Sequence, residues 1–554
     1  MTFNEEILLQ WCENATADKD LIPELIGIKS DMEKFEDAFF RELEFGTGGL
    51  RGKIGAGTNR MNVYTIARAT AGLANYLSST YNGRIQVAIG YDTRIKSQLF
   101  AKTAAEVLAS KGIYVHMFNR HLPTPVLSFA VRELACQAGI MITASHNPAI
   151  YNGYKVYGAE GCQITTEAAD AIYGENAKLD YFSNIPTGKS NGQIAEIPEE
   201  VYQNYLSAVR TLSLTEDVDK EISVVYTPLN GTGMEPVMDI LTQSGYNHIT
   251  VVTEQASPDG TFPTCPFPNP ELEEAMQLGL GYAKNYNADI LLATDPDCDR
   301  VGVAVKNNLD YQLLTGNEVG ILLLDYICSQ KRNMPENPLC IKTIVTTDLA
   351  EKIAGVYGVS VVNVLTGFKF IGEKIGVLEK KGEKQRYLFG FEESCGYLSG
   401  THARDKDGVN AALLICEMCG YYKKKNITLK ERLNELYRTY GYSFGTLLSY
   451  NFEGESGMKI MQNFMSSIRK PKEKIGSFSI LKSIDYLVGI DGLPKADVMK
   501  LIFKESCSLV IRPSGTEPKL KFYLFVNAET EQMARRILEE LKQCVDSYVG
   551  ENSR

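Results

Sequence analysis

Between residues 84 and 391 the chain runs three times through one order of elements: strand, helix, strand, strand. The first round holds Arg84–Asp92, a small-residue helix over Ser97–Ser110, Ile113–Phe118 and an apolar run that ends at Ser145. The second holds Ile222–Tyr226, His248–Thr253 and Ala288–Asp295; the third holds Cys340–Val345, Val359–Leu365 and Arg386–Phe391. Strands alternating with helical segments make βαβ units and mainly parallel sheets. A chain of 554 residues is also too long for one core. The expectation is therefore three similar α/β domains with mixed or parallel sheets. Past about residue 440 the texture changes to short strands and a closing helix over Glu529–Ser547, which predicts a smaller α+β domain. The expected borders are 1–208, 209–322, 323–440 and 441–554, with the first forty residues helical.

In each round the third strand runs into the most chemically loaded residues of its domain. Open α/β sheets bind ligands beyond the carboxyl ends of their strands, so three such ends facing one cleft would assemble a composite site. The first is Thr143-Ala-Ser-His-Asn-Pro148, which exposes one hydroxyl, Ser145. His146 beside it suggests a Ser-His-Asp triad. Yet adjacent side chains on an extended segment point apart, and the nucleophile elbow is missing. Taken alone, Ser145 reads as a turn serine capping a helix.

The second is Asp295-Pro-Asp-Cys-Asp-Arg300. Carboxylates at spacing two share one side of an extended stretch, and crowded like charges call for a cation. An oxygen-only set suits Mg²⁺. An EF-hand would need glycine and glutamate where Arg300 and Lys306 stand, so that reading fails. A solvated acidic turn is the plain alternative.

The third, Gly390-Phe-Glu-Glu-Ser-Cys-Gly396, puts Glu392 and Ser394 on one side, suited to paired sugar hydroxyls, or else forms a strand-end turn. Arg404-Asp-Lys-Asp-Gly408 sets Lys406 between acids, either as a salt-bridged loop or for proton transfer. Thr366-Gly-Phe-Lys-Phe-Ile-Gly372 imitates a P-loop but carries Glu373 in place of the lysine. In the last domain, Arg512-Pro-Ser-Gly-Thr-Glu-Pro-Lys519 combines charge, hydroxyls and a glycine turn, and reads as a phosphate cradle. Phe45-Gly-Thr-Gly-Gly-Leu-Arg-Gly-Lys53 is either a surface turn or an anion-touching loop carrying Arg51 and Lys53.

A net charge of −11 argues against a nucleic-acid surface, while Arg51, Lys155, Arg300, Lys369, Lys406, Arg512 and Lys519 beside these loops suit a small anionic ligand. No apolar run reaches membrane-span length and Met1–Asn14 lacks signal-peptide character, so a cytoplasmic protein free of membrane is expected. The 12 cysteines, scattered singly, then read as reduced thiols; Cys416 and Cys419 lie in an apolar helical pattern and read as core.

A serine, a carboxylate trio, a glutamate–serine loop and a phosphate cradle, in that order across nearly the whole chain, resemble the α-D-phosphohexomutases, the phosphoglucomutase and phosphomannomutase superfamily. The Phe45–Gly52 loop with Asn59-Arg-Met-Asn62 leans toward the branch that includes phosphopentomutases and glucose-1,6-bisphosphate synthases. The resemblance implies a heart-shaped, four-domain enzyme with a central cleft. It implies that Ser145 becomes phosphoserine, that Asp295, Asp297 and Asp299 with a phosphoserine oxygen hold Mg²⁺, and that Arg51 and Arg300 lie near the transferring group. Glu392 and Ser394 would bind sugar hydroxyls, with Thr366 and Gly367 distinguishing sugar orientations. Arg512, Ser514, Gly515, Thr516 and Lys519 would hold the non-reacting phosphate. Lys406 becomes a candidate general acid/base and His146 a supporting one. The implied reaction moves phosphate between C1 and C6 of a hexose, with glucose 1,6-bisphosphate as activator and intermediate. The implied partner is a small sugar phosphate, and the implied assembly a monomer or weak homodimer. Phosphomannomutase, phosphopentomutase and bisphosphate synthase activities remain open on the same scaffold, as do a metal-dependent phosphatase and a non-catalytic sugar-phosphate regulator. Phe391 departs from the small residue usual in hexomutases before Glu-Glu-Ser.

Overall fold

The structure is a computed structural model that describes residues 3–43, 46, 48–185, 192–452, 454–490, 492–514 and 519–552. Three α/β sheets repeat one arrangement. In the first, Gln86–Tyr91 lies between Tyr114–Met117 and Ala138–Ile142, all parallel. In the second, Val224–Thr227 lies between Ile249–Val251 and Ile290–Thr294. In the third, Leu339–Thr343 lies between Ser360–Val364 and Tyr387–Glu392. The third strand of each round is buried along its whole length, as expected of a strand covered on both faces.

Each third strand also has an antiparallel return strand that the sequence did not announce: Tyr151–Gly158, Val301–Asn307 and Gly396–Ser399. The loaded segments are thus the turns of three hairpins. Pairing with a buried strand clamps both ends of each turn, which holds its side chains more firmly than a free loop would. The missed strands carry glycines and polar residues, so their period-2 signal is weak.

Another difference lies in the glycine-rich segment. Gly49–Lys53 is an edge strand that pairs antiparallel with Tyr151–Gly158 and sets Arg51 opposite Gly153. Gly49 has φ +146°, and a Cβ there would stand 1.8 Å from the Tyr154 carbonyl, so only glycine permits this approach. The expected helical start divides into Phe3–Asn14, Leu21–Lys29 and Met32–Phe39. Trp11 pins these helices to the first sheet unit, ringed by Phe39, Tyr64, Tyr181 and Phe182 at centroid distances of 5.7, 5.6, 5.6 and 5.4 Å.

The last unit is a six-stranded antiparallel sheet closed by the helix Glu531–Asn552. Its strand Lys519–Ala528 is longer than the run expected at 521–526 because both edges are paired. Ile344, Val345 and Leu365 of the third unit pack against Val510, Tyr523 and Phe525 of this sheet, an apolar seat that brings it to the other three. Cys416 and Cys419 are buried in the helix Gly408–Lys424, as core residues. Among the described residues no helix is long and apolar enough to cross a membrane.

Candidate active site

The three hairpin turns and strands of the last unit line one cleft of about 600 Å³. Arg51, Ser145, His146, Arg300, Thr366, Gly367, Glu392, Ser394, Lys406, Arg512 and Ser514 all face it, with Asp299 of the acidic turn. Asp295 and Asp297 are fully buried directly behind. Gly515 and Thr516 lie outside the described residues; Lys519 begins its strand, its carbonyl accepting the Ser514 N–H at 2.7 Å. Lys53 is turned away, paired with Asp37 at 3.3 Å.

Ser145 sits at φ +51°, a left-handed conformation rather than the extended one assumed from sequence. That bend brings neighbouring side chains together: Ser145 Oγ is 3.3 Å from His146 Nδ1 and donates to Asp295 Oδ2 at 2.7 Å. The turn is held from beneath by Arg94, whose side chain is completely buried. Its guanidinium donates to the carbonyls of Pro148 at 2.9 Å and Tyr151 at 3.1 Å, and to those of Ser145 and Asn147. The sequence reading missed Arg94. Its signal was Asp92-Thr-Arg94 at the end of the first strand, a charged cluster beside an apolar run.

The acidic trio is also a turn, not an extended stretch. Cys298 takes φ +51°, and Asp295 Oδ1 accepts the N–H groups of Asp299 at 3.1 Å and Arg300 at 3.0 Å. Folding back brings one ligand atom of each aspartate within 4.8 Å of the others. Lys155 Nζ stands 2.8 Å from Asp297 and 3.5 Å from Asp299, and Lys406 Nζ 3.1 Å from Asp299. Burial and the neighbouring carboxylates hold Asp295 well above the usual carboxylate range. Burial opposes the charge on Asp297 too, but Lys155 overrides it and draws that carboxyl far down. Asp297 Oδ1 and Asp299 Oδ1 are buried without a hydrogen-bond partner among the described residues. Unpaired buried carboxylate oxygens in an oxygen-only set are what a hard divalent cation requires, so the residues fit Mg²⁺.

Above the trio, Arg300 is braced by Glu271, a cleft residue from the second unit that the sequence did not single out. A charge-assisted hydrogen bond of this kind contributes about 1.5–3 kcal/mol. Glu271→Gln is therefore expected to lower kcat/KM about tenfold in a protein that still folds, as steady-state kinetics beside a melting curve would read. Arg51 donates to Asn147 Oδ1 at 3.2 Å, which aims it across the serine turn. Burial, with Arg300 and Arg51 nearby, pushes the His146 pKa well below its ordinary value, leaving the ring neutral. Lys406 moves the other way. Burial works against its charge, but Asp299, Asp405 and Glu392 outweigh it and hold it as an ammonium.

On the sugar side, Glu392 Oε1 accepts the Gly367 N–H at 3.0 Å, tying the two expected sugar-binding segments together. Thr366 Oγ1 is buried with no partner among the described residues, a hydroxyl left for a ligand. Phe391 points away from the cleft: it stacks on Phe389 at 5.4 Å and fills the space over Gly320, so its bulk does not line the cleft. At the expected phosphate cradle, Arg512 donates to the Tyr523 hydroxyl at 3.2 Å. Lys521 and Tyr523 face the cleft beside it and were missed, because alternation along a β-strand hides cleft residues among ordinary surface ones.

Three family models match in succession: phosphoglucomutase/phosphomannomutase α/β/α domain I over residues 42–181, domain II over 200–308 and domain III over 315–440. A phosphoglucomutase of Staphylococcus saprophyticus is 37% identical over 537 residues, covering 94% of this chain and 96% of that protein. A phosphoglucomutase of Staphylococcus aureus is 36% identical over 541 residues, with 94% and 96% coverage. Among solved structures, parafusin (a phosphoglucomutase) from Paramecium in its open form superposes with a TM-score of 0.68 at 18% identity, covering 91% of this chain and 95% of that one. A phosphoglucomutase/phosphomannomutase family protein from Burkholderia thailandensis gives 0.66 at 19% identity, with 91% and 97% coverage, and both share the fold.

Proposed function

The chain belongs to the phosphoglucomutase/phosphomannomutase family, and from that premise we propose that Ser145 carries the phosphoryl group exchanged between the 1- and 6-hydroxyls of a hexose phosphate. Glucose is the sugar that the names of its relatives, phosphoglucomutases, point to. One observation carries this reading. The Ser145 hydroxyl, 2.7 Å from an aspartate of the acidic trio, opens on the same cleft as Arg512 and Ser514, a second anion-binding group from a different unit. A phosphatase needs one phosphate site; a mutase must hold both ends of a bisphosphate.

Phosphoserine 145 would pass its phosphoryl group to the free sugar hydroxyl, giving a bisphosphate. The sugar would then turn and return its other phosphoryl group to Ser145. Phosphoryl transfer depends mainly on position and on neutralising the equatorial oxygens. Arg51 and Arg300, which line the cleft with Ser145, would serve that task. A divalent cation, magnesium for an oxygen-only set, would be held by Asp295, Asp297, Asp299 and Ser145 and would neutralise charge on the transferring oxygens. Neutral His146 suits acceptance of the hydroxyl proton, and ammonium Lys406 suits its return. Glu392, Ser394, Thr366 and Gly367 would hold sugar hydroxyls. Arg512, Ser514, Gly515, Thr516 and Lys519, with Lys521, would clamp the distal phosphate while the intermediate turns. Glucose 1,6-bisphosphate would load the serine.

Intact mass after incubation with glucose 1,6-bisphosphate and Mg²⁺ tests this. One added phosphoryl group mapping to Ser145 is expected, and its absence in an enzyme that still turns over glucose 1-phosphate would sink the reading. Arg512→Ala is expected to raise the KM for glucose 1-phosphate about tenfold to a hundredfold, with kcat less affected, since an arginine–phosphate contact contributes about 1.5–3 kcal/mol.

A further inference from the structure

The acidic trio belongs to the second unit, but one of its members is gripped by the first. Thr124 opens the helix Thr124–Glu133, with Pro123 before it and Pro125 in the first turn. It is fully buried. Its backbone N–H donates to the Asp297 carbonyl at 3.0 Å, and its hydroxyl donates to Asp297 Oδ2 at 2.9 Å. The two bonds act on different freedoms of the same residue. The first fixes the peptide of the acidic turn, and the second fixes rotation of the carboxylate about its own bond. Oδ2 also receives Lys155 Nζ at 2.8 Å. With Oδ2 held by these two donors, Oδ1 is the oxygen left over, buried and without a partner among the described residues.

From this geometry we infer that Thr124 is a positioning residue for the divalent-cation site, orienting Asp297 so that Oδ1 is presented to the ion. The inference rests on the reading that Asp295, Asp297 and Asp299 hold such an ion. Hydrogen-bond donors behind a ligating carboxylate fix its direction, and their loss typically weakens metal binding about tenfold to a hundredfold. Because Thr124 and Asp297 lie on different units, the same two bonds make cation affinity depend on how the first unit seats against the second. The proline on each side restricts the backbone that aims the hydroxyl, so the donor is pre-set before the two units meet.

Valine keeps the β-branched shape of threonine and puts a methyl group in place of the hydroxyl. The probe is Mn²⁺, titrated into full-length, unphosphorylated protein with free ion counted by electron paramagnetic resonance, so that no turnover is needed. Thr124→Val is expected to weaken Mn²⁺ binding about tenfold to a hundredfold, and Thr124→Ser to keep the wild-type affinity. Thr124→Ala, which cannot clash, replaces the valine variant with the same expected loss if the latter does not fold. Wild-type affinity in the hydroxyl-less variant, or an equal loss in Thr124→Ser, overturns the role of Thr124 while leaving the cation site standing. Absence of Mn²⁺ binding in the wild-type protein itself overturns the cation reading and this inference with it.

Discussion

Replacing Ser145 by alanine is expected to abolish phosphorylation of the protein and to cut turnover of glucose 1-phosphate on the order of 10⁴-fold or more, the scale seen when an enzyme loses its nucleophile. The substitution removes one oxygen from a fully supported turn. The Ser145 N–H still bonds to Thr143 Oγ1 at 2.8 Å and Arg94 still binds the carbonyls, so the fold is expected to stay intact. Asp295 Oδ2 loses its 2.7 Å donor, yet its Oδ1 keeps two backbone N–H groups. Intact mass, a coupled assay and a melting curve together separate this result from unfolding. A Ser145→Ala protein with ordinary turnover would contradict the mechanism outright.

Arg94→Met should have the largest effect on stability. Arg94 and Asp92 are both fully buried, 3.4 Å apart, and burial already pushes the Asp92 carboxyl upward. Removing the cation strands that carboxylate and takes one donor from each of the carbonyls of Ser145, Asn147, Pro148 and Tyr151. Breaking a buried pair from one side costs about 3–5 kcal/mol. Several units unfold here, so the loss should appear as an earlier transition in calorimetry rather than as a single free energy. Arg94→Lys is expected to rescue only part of it, since one ammonium cannot reproduce a planar fork of five donors. The surviving folded fraction of either variant should phosphorylate slowly, because the serine turn loses its floor. Unchanged melting and unchanged phosphorylation in Arg94→Met would show that the turn needs no such support.

The repeated strand order and the residues at the third strand ends were legible because continuous apolar runs and loaded turns are local signals. The return strands were not, since Tyr151–Gly158 is rich in glycine and polar residues and is a strand chiefly because Ala138–Ile142 lies beside it. The same holds for supporting residues. Glu271, Thr124 and Tyr523 carry no marking of their own and Arg94 only a charged cluster at a strand end, and each matters through a partner far away in sequence.

By itself, then, the sequence determined which groups are on offer: a serine, three aspartates, a glutamate–serine pair and an Arg-Pro-Ser-Gly loop, one set per unit, and with them the family. It also set the order of strand, helix, strand, strand in the three repeats, because strand and helix periodicity are properties of neighbouring residues. Only the tertiary structure decided geometry and charge. It bent Ser145 and Cys298 into left-handed turns that gather side chains expected to point apart or merely align. It placed Lys406 among carboxylates and His146 among arginines, which drives their proton affinities in opposite directions. The physical reason is that a dihedral angle at a hairpin turn is fixed by the strands pairing on either side, and a buried group's charge by whatever surrounds it in space. Neither is written in the residues adjacent along the chain.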